Sequence, residues 1–201
     1  MGTPQGVLSG SAVYEVRAID HYDLITRSRS TSAIVIGNAV PIRINDNTVL
    51  FSLLRTKNKM HHDLATMSMV ALDSSFRFDV KASIDRLAAK GGASPLVSVP
   101  PDYYPIMVLL RDTQSQKSEI TIIDTVNIAD KLGAGAKIEN VAVKLTAENI
   151  TKNLSEYLPE NFWRRFSLSR SGDNGAKIRD FPRLNAHHMM SKEDFESGMG
   201  R

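Results

Sequence analysis

The chain has 201 residues, of which 42% are hydrophobic and 23% are charged, values typical of one globular domain with room for an extension. It contains no cysteine, which excludes disulfide bonds, thiol catalysis and cysteine-ligated zinc sites. The formal net charge of +3 is a mild basic excess, which favours acidic partners over basic ones.

The first ten residues are small, polar and rich in glycine, and we predict a flexible N-terminal arm over residues 1–10. Beyond the arm, apolar residues recur with a period of two, which is typical of half-buried β-strands. The clearest alternation is FRFDVKA, where Phe76, Phe78 and Val80 share one face. In chain order, the candidate strand segments, of which we expect about seven or eight to be strands, are residues 12–18, 33–36, 40–44, 48–54, 67–72, 76–82, 104–112, 119–128 and 137–145.

Helical patterns are fewer and shorter than the strand patterns. Ser83 is a candidate N-cap for a helix that Gly91 ends, and residues 127–132 predict another short helix. Thr146 is a candidate N-cap for an amphipathic helix, and Pro159 is suited to the first turn of a second one. The apolar side chains of these two C-terminal helices are Ile150, Leu154 and Leu158, followed by Phe162, Trp163 and Phe166.

The spacing of these elements predicts a mainly β fold. About seven or eight short strands with few helices between them are typical of an antiparallel β-sandwich or barrel. We therefore predict a β-rich domain over residues 11–146, with a few short helices, and a helical, basic C-terminal extension over residues 147–201.

Basic side chains concentrate in two stretches. Residues 27–62 contain six of them against the single acidic residue Asp46, and residues 162–184 contain six against two acidic ones. We predict that the two sets converge on one face, which would bind nucleic acid or an anionic membrane surface. The candidate contact residues are Arg27, Arg29, Arg55, Lys57 and Lys59 in the first stretch, and Arg164, Arg165, Arg170, Lys177, Arg179 and Arg183 in the second.

Aromatic rings alternate with arginines at the start of the second stretch. Such rings can stack on bases or lie at a membrane interface, whereas the arginines pair with phosphates. We favour the interpretation that Phe162, Trp163 and Phe166 dock their helix on the sheet. The neighbouring arginines would then remain available for a partner.

The sequence PPDY matches the PPxY ligand of WW domains through Pro100, Pro101 and Tyr103. Consecutive prolines favour a polyproline II segment, and the tyrosine would fill an aromatic groove of a WW-domain protein. The alternative is that the prolines end a loop and the tyrosine enters the following strand.

Catalytic and metal-binding patterns are weak. The pairs His61–His62 and His187–His188 lack metal-ligand spacing, and no glycine-rich segment has the spacing of a phosphate-binding loop. We therefore predict no enzyme activity, no metal site and no cofactor. Two alternatives remain open: a small hydrolase or transferase built on loop residues such as His61, His62 and Asp63, and a peptide-binding adaptor module.

The layout resembles that of small viral assembly proteins, since matrix, coat and movement proteins combine a β-rich domain of this size with a terminal arm and basic flanks. This resemblance implies a non-enzymatic structural protein that self-associates as a homo-oligomer and binds an anionic partner. No apolar run approaches the roughly 20 residues of a membrane span, and the N-terminus lacks a secretory signal pattern. We therefore expect an intracellular, cytoplasmic protein, either free or peripheral at a membrane.

Overall fold

A computed structural model of the chain describes residues 6–56, 63–113, 120–123, 128–163 and 190–197. Within these ranges there are nine β-strands, three α-helices and four 3-10 turns. The strands are β1 Glu15–Asp23, β2 Ser28–Asn38, β3 Val40–Arg43, β4 Val49–Thr56, β5 Val97–Ser98, β6 Pro105–Leu110, β7 Ile120–Ile123, β8 Ala142–Val143 and β9 Glu196–Ser197. The helices are α1 Leu64–Leu72, α2 Val80–Ala89 and α3 Ile128–Leu132, and the 3-10 turns are Pro101–Tyr103, Leu154–Glu156, Glu160–Trp163 and Lys192–Asp194.

All strand pairs are antiparallel, and the strands form three sheets. The largest has the order β3-β4-β6-β7, a second has the order β1-β2-β9, and β5 pairs with β8. The predicted fold class, mainly β and antiparallel with a few short helices, is confirmed. In the described part of the chain, none of the sheets closes into a barrel.

The four-stranded sheet is buried on both faces. On one face, Phe51 and Val108 pack against residues of the 154–163 and 190–195 segments. On the opposite face, Leu50 and its cross-strand partner Leu109 pack against α3 and the residues that follow it. Because both faces are covered, β4 and β6 are almost continuously apolar instead of alternating.

A short C-terminal segment completes the first of these faces. The ring of Phe195 is fully buried, and its centroid lies 5.7 Å from those of Phe51 and Trp163 in edge-on contacts. The backbone amide of Ala39 donates to the carbonyl of Phe195 at 2.6 Å, next to the short pairing of β9 with β2. Phe162 is also fully buried here, so the predicted docking of the aromatic rings is confirmed for Phe162 and Trp163, while Phe166 lies outside the described residues.

A buried ion pair holds the same segment. The guanidinium of Arg55 donates to the carboxylate of Asp194, which is completely buried. The other carboxylate oxygen of Asp194 accepts from the backbone amide of Ser191 at 2.6 Å, which forms a capping box. The segment 190–197 is therefore anchored to the sheet by its three buried residues, Met190, Asp194 and Phe195.

Two segments predicted as strands are wrong. Residues 67–72 belong to α1, where the side chain of Asp63 caps the helix by accepting from the amide of Thr66 at 2.6 Å. The first six residues of α1 are all buried, including the polar residues Thr66 and Ser68, so the segment lacks the exposed polar face that marks a helical period.

The segment FRFDVKA is also not a strand. Phe78 has a backbone φ of 65°, which stops an extended chain, and Asp79 caps α2 by accepting from the amide of Ala82 at 3.0 Å. The predicted N-cap Ser83 is instead a buried residue within α2. The short polar side chain of Asp79 therefore overrides the alternation of the preceding residues.

The predicted helix that begins at Thr146 is also absent. Of the described residues between Thr146 and Pro159, only the 3-10 turn Leu154–Glu156 is helical. Thr151 instead pairs with Val13, whose amide donates to the Thr151 hydroxyl at 2.8 Å and whose carbonyl accepts from the Thr151 amide at 2.9 Å. Of the predicted strand segments 119–128 and 137–145, only β7 and β8 are strands among the described residues.

Asp73 joins α1 to α2 through a buried polar network. Its carboxylate accepts from the Ser83 hydroxyl at 2.7 Å and from Nη2 of Arg86 at 2.7 Å. The hydrogen bond with Arg86 is the main reason that the pKa of Asp73 falls from 3.8 to about 2, against the opposing effect of burial.

We predict that replacing Phe195 with alanine lowers the free energy of unfolding by about 3–5 kcal/mol, because a buried aromatic ring leaves a cavity. Phe78→Ala is the control, since Phe78 is 57% exposed; its ring contacts that of Phe76, so we expect a loss below about 2 kcal/mol. Urea unfolding of the full chain measures both. Equal losses for the two variants would contradict the assigned role of Phe195.

We predict that Asp73 stabilises the fold at neutral pH and that this contribution is lost in acid. Its folded-state pKa lies below its unfolded value, so the stabilisation is present above about pH 4 and disappears as pH falls toward 2. Asp73→Asn removes this part of the pH dependence and costs on the order of 2 kcal/mol at pH 7. Thermal unfolding between pH 7 and pH 2 tests this prediction. Asp85→Asn is the control, because Asp85 is exposed. Identical pH profiles for Asp73→Asn and the wild type would refute the prediction.

Candidate binding hairpin

The most distinctive surface feature is the hairpin formed by β1 and β2, here called the β1–β2 hairpin (residues 15–38). The strands pair in an unbroken register from Glu15 opposite Ile36 to Asp23 opposite Ser28. Residues 20–30 are all exposed, whereas Val35 and Ile36 at the base are buried. At about 3.4 Å per residue, the four outermost rungs extend roughly 13 Å beyond the packed base.

Hydrogen bonds within the turn define the shape of its end. The carboxylate of Asp23 accepts from the amide of Ile25 at 2.8 Å and from the amide of Thr26 at 3.1 Å. These two backbone bonds, led by that of Thr26, lower the pKa of Asp23 below its ordinary value. Arg27 closes the turn with a left-handed backbone φ of 52°, a conformation that is unfavourable for side chains other than glycine, asparagine and aspartate.

The end of the hairpin is apolar and exposed. We define the hairpin tip as residues 22–29. Leu24 is 82% exposed, Ile25 is 94% exposed and Tyr22 is 55% exposed. Scattered exposed apolar residues are normal, but three large ones within four positions of one turn form a cluster that indicates an interaction site.

Two arginines flank this apolar cluster. Arg29 lies directly opposite Tyr22 in the strand register, so the two side chains share one face of the ribbon. Arg27 lies in the turn itself, and both arginines are exposed. Within the described residues, neither forms an ion pair.

Below the tip, hydrogen bonds within the hairpin engage the side chains of Asp20 and His21. The carboxylate of Asp20 accepts from the hydroxyl of Thr31 at 2.7 Å. On the other face, the ring of His21 and the hydroxyl of Ser32 are 2.7 Å apart. The tip therefore presents exposed guanidinium groups, while the nearest acidic side chains are hydrogen-bonded within the hairpin.

The structure describes three of the predicted basic contact residues. Arg27 and Arg29 lie together at the hairpin tip, whereas Arg55 is bonded to buried Asp194 and is two-thirds covered. The predicted contact residues outside the described part of the chain are Lys57, Lys59, Arg164, Arg165, Arg170, Lys177, Arg179 and Arg183. The predicted convergence of the two basic sets on one face therefore stays a prediction.

The PPDY segment folds as a tight turn. Pro101–Tyr103 is a 3-10 turn in which the amide of Tyr103 donates to the carbonyl of Pro100 at 2.9 Å. Tyr103 is half-buried against the cluster that contains α1 and α2. A WW domain binds an extended polyproline II ligand, so this turn would have to open first, and the role of Pro100, Pro101 and Tyr103 as a ligand stays a prediction.

The loop site predicted as the alternative lies mostly outside the described residues and stays a prediction. Asp63 serves as the N-cap of α1, and His61, His62, His187 and His188 lie outside the described ranges. Across the described ranges, no group of three or more histidine or acidic side chains could hold a metal ion.

An open groove of about 560 Å³ lies at the base of the β1–β2 hairpin. Most of its charges are compensated locally, because Arg17 pairs with Glu15 and Glu196 pairs with Lys192 at 2.7 Å, whereas Lys152 has no ion pair within the described residues. The groove therefore offers less uncompensated charge than the hairpin tip.

The apolar part of the tip was missed by sequence reasoning. The available signal was the four-residue turn LITR, because hairpin turns normally carry glycine, asparagine or aspartate and not Leu24 and Ile25. No family model, curated protein or solved structure matches the chain. None of the helices in the described ranges is long and apolar enough to cross a membrane.

Proposed function

We propose that the chain is a non-enzymatic, self-associating assembly protein that binds an anionic partner, and that the β1–β2 hairpin is its principal contact. The observation that carries this proposal is the hairpin tip, where Arg27 and Arg29 flank an exposed apolar cluster on a structured ribbon. Matrix, coat and movement proteins combine self-association with binding to an anionic surface, and we propose the same functional class here.

Guanidinium groups are well suited to an anionic partner. Each presents several donors in a planar fork that matches phosphate oxygens, and neither arginine of the tip has to leave an ion pair among the described residues. Both nucleic acids and anionic lipids carry such phosphates. Binding of this kind weakens as salt increases, because the charges are solvent-exposed.

Self-association is supported by the position of β1 at the edge of its sheet. Among the described residues, β1 pairs along its length only with β2, and its side chains from Asp20 to Asp23 are exposed, as is Ala18. An unpaired edge presents backbone donors and acceptors that a strand of another copy can use.

We predict that Arg27→Glu with Arg29→Glu weakens the affinity for anionic vesicles by at least tenfold at low salt. The same variant should elute from a heparin column at a lower salt concentration. Each arginine near an anionic surface contributes about 1 kcal/mol, and the reversal adds repulsion. The matched control is Lys81→Glu with Lys137→Glu, which changes the net charge equally at exposed sites away from the tip. Equal losses for both double variants would show only a net-charge effect and would contradict the proposed contact.

We predict that the wild-type chain forms species heavier than its 22.2 kDa monomer and that Ala18→Lys shifts them toward the monomer. A lysine on an edge strand opposes pairing with a second strand. Light scattering in line with size exclusion measures the mass, and Ala88→Lys on the exposed side of α2 is the control. A wild-type monomer at all concentrations would refute self-association.

A further inference from the structure

We infer that the hairpin tip inserts into the interfacial zone of an anionic lipid bilayer, with Leu24 and Ile25 among the acyl chains and Arg27 and Arg29 at the headgroup phosphates. This inference rests on the proposed function, because it names the anionic partner as a lipid surface. It goes beyond that function by assigning a binding role to side chains that carry no charge.

The exposure of the two aliphatic side chains is the first reason. Leu24 and Ile25 are 82% and 94% exposed, so nearly their whole apolar surface contacts water in the free protein. Transfer of such side chains out of water is favourable in proportion to the area removed. A partner that covers these side chains must therefore present an apolar surface to the end of the hairpin.

The order of the side chains from the end of the hairpin toward its base is the second reason. Leu24 and Ile25 lie in the turn beyond the last residue of β1, whereas Tyr22 lies within the strand. Arg27 lies in the same turn, so its long side chain would have to extend back toward the headgroups. Arg29 stands opposite Tyr22 at the same level. This order matches an anionic bilayer interface, where apolar groups enter by about 5–10 Å, aromatic rings lie at the headgroups and arginines meet the phosphates.

The turn also bonds two of its own backbone amides, although the Asp23 carboxylate that accepts from them is too costly to bury and must stay at the hydrated headgroup level. An unpaired backbone amide is costly to bury in a bilayer. At this tip the amides of Ile25 and Thr26 already donate to the carboxylate of Asp23, and the hydroxyls of Thr26 and Ser28 are 2.8 Å apart. Insertion would therefore leave fewer polar groups unsatisfied than in a turn without these bonds.

A nucleic acid fits the arginines but not the end of the hairpin. Its grooves present phosphates and mostly polar base edges, so Leu24 and Ile25 would gain little apolar contact there. The same arginines and turn would face an acidic, apolar pocket if the partner were a protein. A nucleic acid is tested directly in the experiments that follow, and a protein partner would leave the probe at the tip unshifted with both vesicles and DNA.

The first experiment places a fluorescent probe at the tip. The full-length Ile25→Trp variant is mixed with vesicles of phosphatidylcholine containing phosphatidylglycerol, with pure phosphatidylcholine vesicles and with duplex DNA, and the Trp163 signal of the wild type is subtracted. We expect a shift of emission to shorter wavelength and protection from acrylamide with the anionic vesicles only. No shift with these vesicles, or a shift with DNA instead, would overturn insertion.

The second experiment separates insertion from charge. Leu24→Ser with Ile25→Ser should weaken binding to the anionic vesicles by about a hundredfold, roughly tenfold for each side chain, while heparin retention stays unchanged. Val7→Ser with Leu96→Ser is the matched control, because both residues are exposed and apolar but lie outside the tip. Wild-type vesicle binding by the tip variant would refute insertion.

The joint outcomes distinguish this inference from the proposed function. If the serine variant binds vesicles normally while Arg27→Glu with Arg29→Glu does not, the anionic contact stands and insertion is wrong. If neither variant changes binding to vesicles or heparin, both are wrong. If the wild type binds heparin but no anionic vesicle, insertion is wrong and the partner is a different polyanion.

Discussion

Burial of both faces of the β3-β4-β6-β7 sheet is the constraint on which the rest of the structure depends. A sheet of apolar strands such as β4 and β6 is stable only if each face is covered, and the covering elements come from distant parts of the chain. One face is closed by α3 and the residues after it. The other is closed by residues 154–163 and by the 190–197 segment, where Phe195 fills the core and Asp194 pairs with Arg55.

The packed sheet is distinct from the exposed β1–β2 hairpin. β2 runs from the buried base, at Val35 and Ile36, into the exposed β1–β2 hairpin without a break in register. The hairpin is therefore held at its base by core packing and along its length by its own backbone hydrogen bonds. Its tip is free to carry exposed apolar and basic side chains because it contributes nothing to the core.

Sequence patterns located the strands whose residues are mostly apolar or alternate between apolar and polar. Alternation or apolar runs correctly marked β3, β4 and β6 and the inner parts of β1 and β2, because those strands pair with sequence neighbours or lie in the apolar core. They missed the outer parts of β1 and β2, residues 19–23 and 28–32, where most side chains are polar and exposed. They failed at α1, which is buried on all sides, and at residues 76–82, where Asp79 begins a helix. They also failed after Thr146, where pairing of Thr151 with Val13 replaced the expected helix, a tertiary contact that no local pattern encodes. At the site, charge located Arg27 and Arg29, but the role of Leu24 and Ile25 depended on exposure, which the sequence does not show.

Amide hydrogen exchange of the full-length protein, with and without phosphatidylglycerol-containing vesicles, tests the central claim most directly. If the hairpin tip is the membrane contact, the vesicles should slow exchange at the amides of residues 22–29 that are not already protected by the hairpin bonds. Exchange in β4 and β6 should stay unchanged, because these strands are buried in either state. Vesicle binding that leaves the tip unprotected, and slows exchange at another surface, would contradict the account.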